Sequence, residues 1–261
     1  MQRKYILVFI AITVVMGVLA SSGYTFDPKA VVGVWLLDEG KGAVVGDSSG
    51  NGHDGKIIGG TKWSNGKFGK ALEFIGGDSV EIPDNEALEF GTNSFSVVTW
   101  FNFSSAQDWN RIVRGRNPGP WGGGNIGWEL QTQAILVHWS LDDKAKNNLQ
   151  ITYDNAGDGT WHHTAMIVNR EKKQMVCYLD SEKEKSSNIA NIVSISGNVP
   201  TIFGGGFKGS IDDVAIFNGV LTQDDVKTIM DKGLSETLKS NLSVSSSDKI
   251  TATWGQIKSI Y

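Results

Sequence analysis

Cysteine is nearly absent from this chain. Cys177 is the only one, so no intramolecular disulfide can form. A chain of 261 residues is long enough to bury a sizeable core without one. Proline is scarce as well, 5 residues against 32 glycines, so glycine turns rather than rigid kinks redirect the chain. No Lys/Arg block exists, and the formal net charge is -4. That excludes a phosphate-tracking surface and hence nucleic acid as a partner. Several catalytic signatures are missing: there is no phosphate loop, no HExxH and no Glu-x-Asp-x-x-Glu. Glu129 stands by itself in Trp128-Glu129-Leu130. Only distant strands, joining Glu129 with Asp142 or Asp154, could assemble a hydrolytic carboxylate pair.

What is present begins with an export signal. Arg3 and Lys4 precede the uncharged apolar run Tyr5 to Ala20, and Ala20-Ser21-Ser22 supplies small residues for cleavage. The run falls short of the ~20 residues of a membrane span. Residues 1–22 therefore read as a cleaved signal peptide, with a retained anchor as the alternative. No cysteine follows to carry a lipid. The mature chain is expected to be secreted, periplasmic or at the cell surface, with no membrane span after signal cleavage.

Beyond the signal the chain is a succession of short, β-rich runs. Strands are expected at Val31–Leu37, Phe95–Phe103, Gln150–Tyr153, Trp161–Asn169, Gln174–Leu179 and Ile211–Phe217. Hairpins are expected for Ala71–Phe74 with Ser79–Ile82, and for Gly127–Gln131 with Ile135–Ser140. Cys177 sits in one of these apolar runs and reads as a small core hydrophobe. One helix is legible. Thr222 with Asp225 resembles a capping box, Val226, Ile229 and Met230 form its apolar stripe, and Gly233 ends it. Regularly spaced short strands favour an antiparallel β-sandwich or barrel. The expected domain covers residues 27–233, and 234–261 form a Ser/Lys-rich tail ending in Thr-Trp-Gly-Gln-Ile-Lys.

Five segments carry a family resemblance. They are Val34 to Gly55, with V-W-L-L-D-E-G-K-G and D-S-S-G-N-G-H-D-G; Lys67 to Phe74; Ser94 to Phe101; Asp158 to Ala165; and Gly209 to Thr222, G-S-I-D-D-V-A-I-F-N-G-V-L-T. In this order they resemble the laminin-G-like family of concanavalin A-like β-sandwiches. The resemblance implies an all-β, two-sheet antiparallel jelly roll with one short C-terminal helix. It also implies that the first and last strands pair. A fold of this kind carries many functions, so a site must be argued on its own residues.

Two groups of residues invite a site. Asp47, Ser49, Asn51 and Gly52 occupy places 1, 3, 5 and 6 of a calcium-loop-like pattern, but place 12 is Ile58 and the flanks read as strands, which excludes an EF-hand. Strand alternation puts Asp212 on the face of Val214 and Ile216, where a buried carboxylate needs a hydrogen bond or an ion. Because the resembling family often holds structural calcium between these segments, Asp47, Asn51 and Asp212 are the expected calcium ligands. A purely hydrogen-bonded cluster is the alternative. The second group is aromatic: Trp109 and Trp121 lie in loop-like contexts with Arg111 nearby, the composition of a sugar-stacking platform. Trp128 and Trp139 read as core. His162 and His163 are adjacent, so on a strand they face opposite ways and cannot share an ion.

These readings lead to an exported, non-catalytic recognition module, binding glycan or an extracellular protein partner and stabilised by calcium. The alternatives are a glycan hydrolase or lyase on the same jelly roll, and a surface or scaffold protein docking through its tail.

Overall fold

The structure is a computed structural model that describes residues 26–104, 106–117 and 125–239. The proposed signal peptide, Trp121 and the tail beyond residue 239 lie outside the described residues. The first strands are β1 (Val31–Trp35), β2 (Val44–Val45), β3 (Gly55–Ile58), β4 (Lys62–Asn65), β5 (Lys70–Ile75) and β6 (Ser79–Ile82). The middle of the chain supplies β7 (Phe95–Asn102), β8 (Ala106–Asn117), β9 (Ile126–Ala134), β10 (Leu136–Asp142) and β11 (Asn148–Tyr153). The rest are β12 (Trp161–Asn169), β13 (Gln174–Leu179), β14 (Lys183–Asn188), β15 (Thr201–Gly204) and β16 (Lys208–Phe217). One helical run, α1, covers residues 223–239.

The strands form two antiparallel sheets. The first runs β14-β13-β12-β7-β16-β5-β4, with β1 added to β16, and the second runs β11-β10-β9-β8-β15-β6-β3-β2. Pairing of β1 with β16, Val34 opposite Ala215, joins the two ends of the domain as expected. Between the sheets lies one core, including Trp35, Leu72, Phe74, Phe101, Trp128, Trp139 and Phe203. Trp128 and Trp139 are buried in it, and Cys177 is a buried free thiol.

A second apolar cluster lies on the other face of the first sheet. Val34, Val98, Ile167, Ala215 and Phe217 meet Val226, Ile229 and Leu234 of α1. This explains why β7, rich in β-branched and aromatic residues, is buried along both faces. The capping box is present: Thr222 N–H donates to Asp225 Oδ2 at 2.9 Å, and Asp225 N–H donates to Thr222 Oγ1 at 3.2 Å. Gly233 has a positive φ of 76°, but the helical run continues through it to residue 239, so Gly233 does not end the helix. No helix among the described residues is long and apolar enough to cross a membrane.

Two local expectations fail. β9 and β10 do form a hairpin, whereas β5 and β6 lie in different sheets. The reason is Asp78, whose carboxylate accepts the N–H groups of Ile75, Gly76 and Gly77 and the Thr61 hydroxyl. That builds a corner from one sheet to the other where a two-strand turn was expected. The second failure concerns Asp212. The β16 ladder slips between Asp212 and Ala215, and Asp213 has φ 46°. This irregularity breaks the alternation, so Ile211, Val214 and Ile216 enter the inter-sheet core while Asp212 meets the 66–68 turn instead.

Candidate functional site

The two outer faces of the sandwich differ. That of the first sheet is apolar and lies under α1. That of the second sheet is polar over β8 to β11, and strand alternation dictates it. Trp128 and Leu130 of β9, Val137, Trp139 and Leu141 of β10, and Ile151 and Tyr153 of β11 enter the core. The residues between them must point the other way. On that face the strand registers stack three rows. Arg111, Gln131, His138 and Thr152 form one; Arg114, Glu129, Ser140 and Gln150 the next; Arg116, Gly127, Asp142 and Asn148 the third.

The rows are cross-linked. Arg116 gives one guanidinium nitrogen to the Glu129 carboxylate and the other to Asp142, the latter at 2.8 Å. Asn148 donates to Asp142 at 2.9 Å, Gln131 to Ser140 at 3.2 Å, and His138 Nδ1 lies 2.7 Å from the Thr152 hydroxyl. Glu129 is 1 % exposed and Asp142 6 %, so these carboxylates belong to a desolvated network in which each member needs a partner. Burial raises the Asp142 carboxyl pKa, with the Arg116 charge opposing the rise. Gly127 has φ 130°, and a Cβ there would collide with the backbone of Gly115 and Arg116, so β8 and β9 require glycine at this crossing.

Along one edge of this network several donors and acceptors are unengaged. His138 is 5 % exposed, and its Nε2 has no hydrogen-bond partner. Burial lowers its pKa, opposed by the Asp154 charge, which keeps the imidazole neutral near pH 7. The Nε atoms of Arg111 and Arg114 are likewise buried without partners. Arg111 Nε approaches Glu129 only to 3.9 Å. Trp109 closes this edge, its ring 5.0 Å from the His138 ring and tilted by 33°.

The expected ligand-binding residues are therefore placed as follows. Trp109 and Arg111 lie on strand β8, where a loop was expected, and both belong to the polar face; Trp121 is outside the described residues. Sequence reading did not single out Gln131 or His138. The alternation Trp-Glu-Leu-Gln at 128–131 beside His-Trp-Ser-Leu-Asp at 138–142 was the available signal.

The expected metal ligands meet different partners. The Asp47 carboxylate accepts the N–H groups of Val34, Ser49 and His53 at 2.9–3.0 Å. Asn51 turns its amide nitrogen to the carbonyls of Val31 and Val32. Both side chains pin the 47–53 loop to β1. Asp212 is fully buried elsewhere: one oxygen accepts the Phe68 N–H at 2.9 Å and Oδ1 has no partner. Burial, with the Asp213 charge adding to it, raises the Asp212 pKa to about 8. Among the described residues no three His, Cys, Asp or Glu gather to hold an ion. His162 bonds Asp180 at 2.9 Å, whereas His163 is buried against Trp100 on the opposite face. Residues 46–50 spell Gly-x-Ser-x-Gly, but Ser48 lies in a turn with no helix after it, which is not a nucleophile elbow.

Comparison with known proteins agrees with this architecture. A family model described as the concanavalin A-like lectin/glucanases superfamily matches residues 74–227. The non-toxic nonhemagglutinin of Paraclostridium bifermentans is 27 % identical over 137 residues, 52 % of this chain and 12 % of that protein. The type A protein of Clostridium botulinum (strain Kyoto / Type A2) is 24 % identical over 157 residues, 59 % of this chain and 13 % of its own length. The chain thus matches only about an eighth of these relatives. Among solved structures, the binding domain of Paraclostridial Mosquitocidal Protein 1 superposes with a TM-score of 0.67 at 17 % identity, covering 78 % of this chain and 52 % of that one. A botulinum neurotoxin serotype D ligand binding domain in complex with N-acetylneuraminic acid gives 0.62 at 15 % identity, with coverages of 78 % and 51 %.

Proposed function

Because the chain belongs to the concanavalin A-like lectin/glucanase superfamily, we propose that it is a recognition module whose ligand site is the polar face of β8–β11. The observation that carries this reading is a rigid, cross-linked array of buried polar side chains that still leaves His138 Nε2 and the Arg111 and Arg114 Nε atoms unengaged beside Trp109. Ligand sites combine an apolar wall with a few fixed polar groups in this way. Glycan is the favoured ligand, with an extracellular protein partner second. The relatives named as binding domains support a binding role, although this chain covers only about half of each.

The hydrolase alternative is weakened by Arg116. A glycosidase needs its two carboxyl groups to flank the bond being broken. Here Glu129 and Asp142 flank a guanidinium that engages both. Export through residues 1–22, docking through the tail and calcium at Asp47, Asn51 and Asp212 belong to the same proposal as separate parts. A glycan array with the mature chain tests the main reading. Trp109→Ala is expected to weaken any positive by ~1–3 kcal/mol if the indole anchors the ligand. Turnover of a glycan that Glu129→Gln abolishes would instead establish the enzyme.

A further inference from the structure

We propose that the ligand of this face is an acidic saccharide, its oxyanion received by Arg114 with Arg111 and its hydroxyls by the neighbouring polar row. The inference rests on the recognition reading above and adds the charge of the ligand. It follows from an imbalance of partners. Three guanidinium groups, Arg111, Arg114 and Arg116, share the face with two buried carboxylates, Glu129 and Asp142. Arg116 takes both carboxylates. Arg111 reaches Glu129 only at the long distance of 3.9 Å, and Arg114 forms no ion pair among the described residues.

Arg114 is thus a half-buried cation between two other cations, with its Nε engaged by nothing. Burial and the charges of Arg111 and Arg116 all work against its protonated form, and only the exposed Glu81 favours it. Glu81 is separated from Arg114 by Ile202 on β15, which pairs with both. An uncompensated guanidinium of this kind is stabilised by an arriving anion. Its planar fork matches a carboxylate or sulfate group in two-point contact. A bare anion would leave the rest of the edge unused. One row away His138 Nε2 is buried without a hydrogen-bond partner, and Trp109 lies against the His138 ring. A sugar offers hydroxyls to the first and a C–H face to the second.

The test is calorimetric titration of the mature chain with four probes: oligogalacturonate, a sulfated oligosaccharide, a neutral xylo-oligosaccharide and poly-glutamate. Acidic oligosaccharides are expected to bind at least ten-fold more tightly than the neutral one, and to weaken as salt rises. The two acidic probes separate carboxylate from sulfate as the source of the oxyanion. Arg114→Gln is expected to remove the ten-fold preference. Arg114→Lys, which keeps the charge but loses the fork, is expected to recover only part of it. Equal binding of neutral and acidic sugars overturns the inference and leaves the recognition reading standing. Poly-glutamate binding as tightly as the acidic sugars overturns the saccharide half. Failure of every saccharide, here and on the array, overturns the inference and with it the glycan half of the recognition reading, leaving the protein partner. A preference that survives in Arg114→Gln, with near-ultraviolet circular dichroism showing a native fold, overturns the assignment to Arg114.

Discussion

Replacing Arg116 by Met should be the most destabilising polar substitution on the second sheet. Met keeps an apolar stem but removes the charge that serves Glu129 and Asp142. The three side chains are 11, 2 and 9 % exposed, so water cannot easily take over from the guanidinium. Removing one partner of a buried ion pair costs ~3–5 kcal/mol. Asn148 still serves Asp142, and Arg111 stands 3.9 Å from Glu129, so the lower end of that range is expected. For a domain of this size ~3 kcal/mol lowers Tm by ~6–12 °C. Urea denaturation at pH 7 and pH 4 would measure it. Burial raises the Asp142 pKa and the Arg116 charge opposes the rise, so without Arg116 this carboxyl lies further above its unfolded value. Its penalty is present at pH 7 and fades as acid protonates it, so the gap from the parent protein should narrow at pH 4. Adding Glu129→Gln and Asp142→Asn to the variant should recover most of the loss at pH 7. A loss below ~1 kcal/mol, or one that does not change with pH, would refute the view that this is a desolvated network rather than a surface pair.

Three further expectations follow from other sites. Asp47→Ala leaves the N–H groups of Val34, Ser49 and His53 without their acceptor and should lower stability by ~1–3 kcal/mol in urea denaturation; no change would mean that water replaces the carboxylate. Burial raises the pKa of Asp212 to about 8 and of Asp213 to about 7, so the folded state holds these protons more tightly than the unfolded chain. In chelator, their contribution to stability is full below pH 4 and is lost as pH rises through 7 and 8; Tm should therefore fall from pH 6 to pH 9, less steeply in Asp212→Asn. Calcium held by Asp47, Asn51 and Asp212 predicts that chelation at pH 8 lowers the parent Tm but not that of Asp212→Ala, and an unchanged parent Tm removes calcium from the account.

The fold was readable because its signals are local and mutually consistent. Alternation marked β7, β12 and β13, the Thr222–Asp225 pair marked the helix start, and Trp128 and Trp139 sat between polar neighbours as core residues do. Where one residue redirects the chain, periodicity misled. Asp78 gathers three N–H groups and sends the chain to the other sheet, and the left-handed Asp213 shifts the side from which Asp212 projects. The site was harder to read. The start of strand β8, Asp108-Trp109-Asn110-Arg111, reads as a loop because Asp and Asn favour turns and its two register shifts interrupt the alternation. Arg116, Glu129 and Asp142 come from three strands, and nothing in their spacing announces that one guanidinium would join two carboxylates.

The position of β16 bears on the order in which the domain can fold. The last described strand stands in the middle of the first sheet, between β7 and β5, and also carries β1. Until it emerges from the ribosome, that sheet consists of three unconnected pieces, β14-β13-β12-β7, β5-β4 and β1. β1 likewise has no neighbour until some 180 residues have followed it, as the pairing of Val34 with Ala215 records. Contacts of such long range form slowly, because loop closure must precede them. A nascent chain of this design stays open through most of its synthesis.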